Sequence, residues 1–80
     1  EGAFSLLIGT YKSKKEADTI KIRLASIASL MPRMEEVTLE FASWYRVKLG
    51  PYGTLRDANK VRLFLRDQGI DSILETESPR

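Results

Sequence analysis

The 80-residue chain contains no cysteine and no histidine. The first absence removes disulfide staples, thiolate nucleophiles and thiolate zinc ligands; the second removes the side chain most often used to shuttle protons and bind metals. Aromatic residues are sparse, with one tryptophan, three tyrosines and three phenylalanines. No apolar run approaches the roughly 20 residues that span a bilayer, and the N-terminus lacks the charged-then-apolar layout of a signal peptide. Charge of one sign is missing too. Thirteen basic residues against eleven acidic ones leave +2, far from the dense basic surface of a protein held mainly by phosphates, so nucleic acid is not an expected partner. A chain this short has room for one core and buries about two-thirds of its unfolded surface, which leaves packing as the source of stability. It begins with Glu1 instead of Met and reads as a segment of a longer protein, with any membrane contact made through a tether outside it.

What is present is present twice. "LLIGTYKSKKEADTIKIRL" at 6–24 aligns without a gap on "VKLGPYGTLRDANKVRLFL" at 47–65. Gly9, Tyr11, Ala17 and Leu24 recur as Gly50, Tyr52, Ala58 and Leu65; Ser13, Lys15, Glu16 and Ile20 recur conservatively as Thr54, Arg56, Asp57 and Val61. One supersecondary unit is repeated, over about 4–41 and 44–76, within a single domain spanning 1–80.

Each unit starts with the alternation of a strand, passes through a Gly-x-Tyr turn and continues with helical spacing. Ser13 with Glu16, and Thr54 with Asp57, fit an N-cap and its third helical residue. Ala17, Ile20, Leu24 and Ile27 form an apolar stripe on the first helix; Ala58, Val61 and Leu65 repeat it on the second, and Leu63 and Phe64 are expected to broaden it. Met31-Pro32 should stop the first helix, and Gly69 should follow the second as its C′ residue. Residues 35–41, "EEVTLEF", and 70–75, "IDSILE", read as short strands. The order β-α-β-β-α-β, with right-handed crossovers and a hairpin between the second and third strands, predicts an α+β fold. It is a split sandwich with a four-stranded antiparallel sheet, both helices on one face and the repeated strands side by side in the middle. The apolar sets Phe4, Leu6, Ile8 and Tyr45, Val47, Leu49 should face the helices. The opposite face is expected to carry Ser5, Leu7, Trp44, Arg46 and Lys48, joined by Thr38, Glu40 and Leu74, with nothing to cover it.

The segments "GTYKSKKEAD", "WYRVKLGPYGTLRDAN" and "GIDSIL", in that order, resemble the sporulation-related repeat (SPOR) domain of bacterial cell-division and envelope proteins. The resemblance covers nearly the whole chain. It implies a non-catalytic module that binds peptidoglycan glycan strands stripped of their stem peptides. It also implies a periplasmic or extracellular location, with the parent protein anchored or secreted and targeted to the division septum. The implied glycan-binding residues are Trp44 and Arg46, with Leu74 in the last strand and Leu7 and Thr10 at two further family positions; Lys48 and Ser5, read onto the same face, are expected to join them. Many members have Gln where this chain has Leu7, whereas Thr10 keeps the hydroxyl of a common Ser. The linker "ASIASLMPRME" is longer and more apolar than the short turn common at that place.

A tryptophan ring suits the axial C–H groups of a sugar, and an arginine can fork onto the lactyl carboxylate that a muramic residue exposes once its peptide is removed. The plainer alternatives are an aromatic packed on its cross-strand neighbours for Trp44, and a solvated face paired with Glu36 or Glu40 for Arg46 and Lys48. Tyr11 and Tyr52 are taken as plugs at the end of the core, and Gly9 and Gly50 as turn residues. Glu16 and Asp57 are explained by capping, and Glu35, Glu36 and Glu40 offer no convergent cage, so no catalytic residue, metal or cofactor is expected. A competing reading, prompted by Leu7, is a protein-interaction module that keeps the fold and has lost the sugar site. Other divisome or envelope proteins would then be its partners. Single-stranded RNA on a sheet of this order is disfavoured, since the RNP1 pattern is absent. The domain is expected to be a monomer.

Overall fold

A computed structural model describes residues 3–28 and 30–77. Both helices begin at the expected hydroxyls. Ser13 Oγ accepts from the backbone N–H groups of Lys15 and Glu16 at 3.1 and 3.4 Å, opening α1 (Lys14–Ala28). Thr54 Oγ1 accepts from Asp57 N–H at 3.1 Å, opening α2 (Leu55–Asp67). Glu16 and Asp57 lie in the first turns, where the helix dipole favours a carboxylate. The second helix closes at Gly69, whose φ of +82° suits a residue without a Cβ. Gly69 N–H donates to the Arg66 carbonyl and Ile70 N–H to the Leu65 carbonyl, both at 2.9 Å, the paired bonds of a Schellman ending. Ile70 then packs against the core. Residues 70–72 are therefore connection, and the last strand starts later than the β-propensity of "IDSILE" suggests.

The strands are β1 (Ala3–Tyr11), β2 (Arg33–Leu39), β3 (Ala42–Tyr52) and β4 (Ile73–Glu77). They form one antiparallel sheet in the order β2-β3-β1-β4, with the repeated strands in the middle as predicted. Between sheet and helices lie Leu6, Leu24, Val47, Leu49 and Leu65 with Ala17 and Ala58, all essentially without solvent exposure. Ile8, Ile20, Val61 and all three tyrosines pack around this core. The small alanines let each helix axis approach the sheet. Leu63 and Phe64 do not join the buried stripe: at about 100° per residue Leu63 falls opposite the Val61–Leu65 line and Phe64 on its flank, and both are exposed. The apolar linker after α1 folds Leu30 onto the core while Met31 stays 84% exposed; its Ser29 lies outside the described residues.

The strands continue past the glycines that were read as turns. Tyr11 is the last residue of β1 and Tyr52 the last of β3. Two register shifts interrupt the β1–β3 ladder, one between Phe4 and Leu6 and one between Leu7 and Gly9. Around the second, Leu7 pairs with Lys48 but Gly9 pairs with Val47, so Ile8 is the extra residue of a bulge and the alternation is reset after it. Gly9, Tyr11, Val47 and Tyr45 then share the helix side, while Thr10 and Arg46 share the open side.

The β2–β3 hairpin turns on Glu40 and Phe41, with φ of +51° and +67°, the two-residue geometry that Asn-Gly favours. This fixes the register of β2 opposite to the sequence expectation. Val37 pairs with Trp44 and Glu35 with Arg46 on the open face, whereas Met34, Glu36 and Thr38 pair with Val47, Tyr45 and Ser43 on the helix side. Met34 reaches the core, while Glu36 and Thr38 remain exposed. Glu40 lies in the turn and not on the face. β4 departs in the same way: Leu74 pairs with the fully buried Leu6 and packs against the core. Its expected place on the open face is taken by Ile73, which is 62% exposed, and by Glu75.

Candidate functional site

Cross-strand pairing lays out the open face in rows. One row runs Arg33, Lys48, Leu7 and Ile73 across β2, β3, β1 and β4; the next holds Glu35, Arg46 and Thr10; beyond them Val37 stands beside Trp44. Thr10, Arg46 and Trp44 are therefore neighbours. Leu7 is not beside Trp44: its partner Lys48 lies four positions along β3 from Trp44, a span of about 13 Å at the rise of a strand. The two apolar ends, Trp44 with Val37 and Leu7 with Ile73, flank a charged middle.

That middle is an alternating chain of charges. Glu75 uses one carboxylate oxygen for each of two cations, accepting from Arg46 Nη2 at 2.9 Å and pairing with Lys48 Nζ at 3.2 Å. Glu35 does the same with Lys48 Nζ at 3.5 Å and Arg33 Nη1 at 3.8 Å. The carboxylate partners are thus Glu75 and Glu35, not Glu36 or Glu40. Among the described residues the chain of charges joins three cations through two carboxylates. Arg33 Nη2 also donates to Ser5 Oγ at 3.2 Å. Ser5 is completely buried and Lys48 is 8% exposed, so these two expected contact residues lie under the surface and support the network. Burial of this kind strengthens each ionic contact but also raises the desolvation cost, so the network fixes the geometry of the face more than it adds stability.

Sequence reasoning missed four participants: Arg33, Glu35, Glu75 and Lys12. The Lys12 ammonium lies 5.2 Å from the centre of the Trp44 ring, within the range of a cation–π contact. The signal for Lys12 was the alternation of Thr10 and Lys12, hidden by reading Gly9 as the end of the strand. Arg33, Glu35 and Glu75 needed the registers of the two edge strands, which only the hairpin geometry and the Leu6–Leu74 pair supply.

The glycines shape the face from behind. At Gly9 the Tyr11 ring lies where a side chain would go, with Tyr11 Cζ 2.7 Å from the position of a Cβ. At Gly50, φ is +117° and a Cβ would sit 3.0 Å from the Phe4 carbonyl oxygen and 3.3 Å from Ser5 Oγ, so the strand can bulge only without one. The Gly50–Pro51 peptide is cis. The same Gly-x-Tyr signature thus serves two purposes, space for a ring in one repeat and close backbone approach in the other. On the helix side, burial raises the Tyr11 and Tyr52 phenols above their usual 10.0, and Glu16 adds to the effect at Tyr11.

Among the described residues no group of three or more carboxylate, imidazole or thiol side chains is placed to hold a metal ion. No helix among them is long and apolar enough to cross a membrane. What the face presents is one aromatic platform, a hydroxyl, a guanidinium held by Glu75 and an exposed ammonium.

Two solved structures share this fold. The crystal structure of the RlpA SPOR domain from Pseudomonas aeruginosa matches with a TM-score of 0.81 at 19% identity, covering 90% of this chain and 96% of that one. The solution structure of the peptidoglycan binding domain of the B. subtilis cell wall lytic enzyme CwlC matches with a TM-score of 0.74 at 20% identity, covering 98% and 92%. No curated protein matches the chain in sequence. The SPOR domain family model matches residues 1–74, nearly the full length, and the chain belongs to the SPOR domain family.

Proposed function

We propose that this chain is a non-catalytic module that binds peptidoglycan glycan strands lacking stem peptides through its open sheet face, and so holds its parent protein at the cell wall or division septum. The observation that carries the reading is Trp44, the sole tryptophan, on a face that no third layer among the described residues covers, beside Thr10 and Arg46. Similarity to a domain described as peptidoglycan binding supports it. In this reading the domain is a single unit of two repeats, acts as a monomer, and works in the periplasm or outside the cell.

Sugar rings rest on the indole through their axial C–H groups. Thr10 supplies a hydroxyl for hydrogen bonding, and Arg46, held by Glu75, presents its remaining N–H donors in a fixed orientation. Ile73 takes the part that the family resemblance gave to Leu74, forming with Leu7 the apolar far end. Each contact is weak, about 0–1 kcal/mol for the exposed charged ones, and affinity accumulates along a strand. A tether on a polymer needs no more.

Sedimentation with purified sacculi tests the reading. Wild type is expected to co-sediment with amidase-treated wall, and Trp44→Ala to do so several-fold less. Equal sedimentation of the two removes Trp44 from the site, and no sedimentation of wild type removes the substrate. The apolar pair of half-buried Leu7 and exposed Ile73 favours a second reading, a protein partner on the same face. It becomes the better one if denuded glycan fragments at millimolar concentration leave the backbone resonances of residues 5–12, 44–48 and 73–75 unmoved.

A further inference from the structure

Among the described residues four cations lie on the open face, and three of them are engaged by carboxylates. Arg46 is held by Glu75, Lys48 by Glu75 and Glu35, and Arg33 by Glu35. A ligand carboxylate reaching any of these must compete with a carboxylate already in place. Lys12 is different. Among the described residues it pairs with no carboxylate, it is exposed, and its ammonium rests over the ring of Trp44.

We infer that Lys12 is the residue that reads the free carboxylate of the glycan, an assignment that rests on the glycan reading above. The argument is one of exchange. A saccharide that stacks on Trp44 must share or take the ring face that the ammonium occupies, so binding costs the cation–π contact. A muramic residue without its peptide returns that cost, because its lactyl carboxylate gives the displaced ammonium a stronger partner. A muramic residue that still carries a peptide has the same carboxyl tied up as a neutral amide and returns nothing. An ammonium suits this role because it is a compact charge on a flexible stem with three donors, able to follow a carboxylate without a fixed approach direction. Preference for stripped strands then arises at Lys12 and Trp44 together, while Arg46 and its network set the shape of the face.

The test uses the fluorescence of Trp44, the only tryptophan in the chain. The protein is titrated with a stripped tetrasaccharide of alternating N-acetylglucosamine and N-acetylmuramic acid, and with the same sugar after its lactyl carboxyls are converted to methyl amides. Wild type is expected to prefer the carboxylate form about two- to fivefold per carboxylate engaged, the range for an exposed charge contact. Lys12→Met, which keeps the stem and removes the charge, should bind the two forms equally and the amide at least as tightly as wild type does, because no cation–π contact is lost on binding, and Lys12→Arg should restore the preference. The inference is overturned if Lys12→Met keeps the preference, if it weakens both forms alike, or if wild type shows no preference; in each case the glycan reading stands. Failure of wild type to bind either form overturns both.

Discussion

Gly9 and Tyr11 are one packing unit. Two residues apart on a strand, they share a face, and the phenol ring fills the space above the glycine. A methyl group at position 9 would push the ring out of its place against the core. Gly9→Ala is therefore expected to cost about 1–3 kcal/mol in urea unfolding. Most of that cost should vanish in a Tyr11→Ala background, a coupling of about 1 kcal/mol or more in the double-mutant cycle. Gly50→Ala meets a different obstacle. Its φ of +117° disfavours any side chain, and the group it would strike is the Phe4 carbonyl, which the sheet holds. It should cost a similar or larger amount, and no side-chain truncation should relieve it. If Tyr11→Ala leaves the cost of Gly9→Ala unchanged, the glycine serves the backbone and not the ring. The same logic explains what could be read at Trp44. Its side of β3 followed from the apolar partners Tyr45, Val47 and Leu49, which had to go inward.

Among the elements, those with strong periodic signals were legible and the two edge strands were not. β1, β3 and both helices could be placed from alternation, helical spacing and capping residues. β4 is five residues long, and its apolar pair Ile73-Leu74 allows either side chain to face in. Only the pairing with Leu6 and Leu7 chooses between them. In β2 the apolar residues Val37 and Leu39 sit on the open side, against Trp44 and Ala42, because the helices cover only the Met34 end of the other face. An amphipathic pattern points to the buried side only when a layer is there to bury it. The β4 register has a direct consequence for stability. Leu74→Ala should cost about 1–3 kcal/mol, whereas Ile73→Thr, on the solvent side, should stay within about 0.5 kcal/mol. Comparable costs at the two positions, measured by chemical denaturation, would place both against the core and empty the far end of the proposed site.

At the scale of the whole molecule the sheet separates the core from the proposed glycan face, and the chain carries a spectroscopic reporter on each side. All three tyrosines pack around the core on the helix face, while the one tryptophan lies on the open face. The phenols of Tyr11 and Tyr52 are raised above 10.0 in the folded protein, mainly by burial. Below that pH they keep their protons in the folded and unfolded chain alike and contribute no pH slope. Between the unfolded value and the raised folded value the unfolded chain holds fewer protons, so ionisation favours unfolding and stability falls as pH rises. Urea unfolding from about pH 8 to 11 should therefore show a decline that sets in near the ordinary phenol value of about 10. The Tyr11→Phe, Tyr52→Phe double variant should flatten it, because phenylalanine keeps the ring and has no proton to lose. A decline of unchanged steepness in the double variant would show that the two buried phenols are not its source.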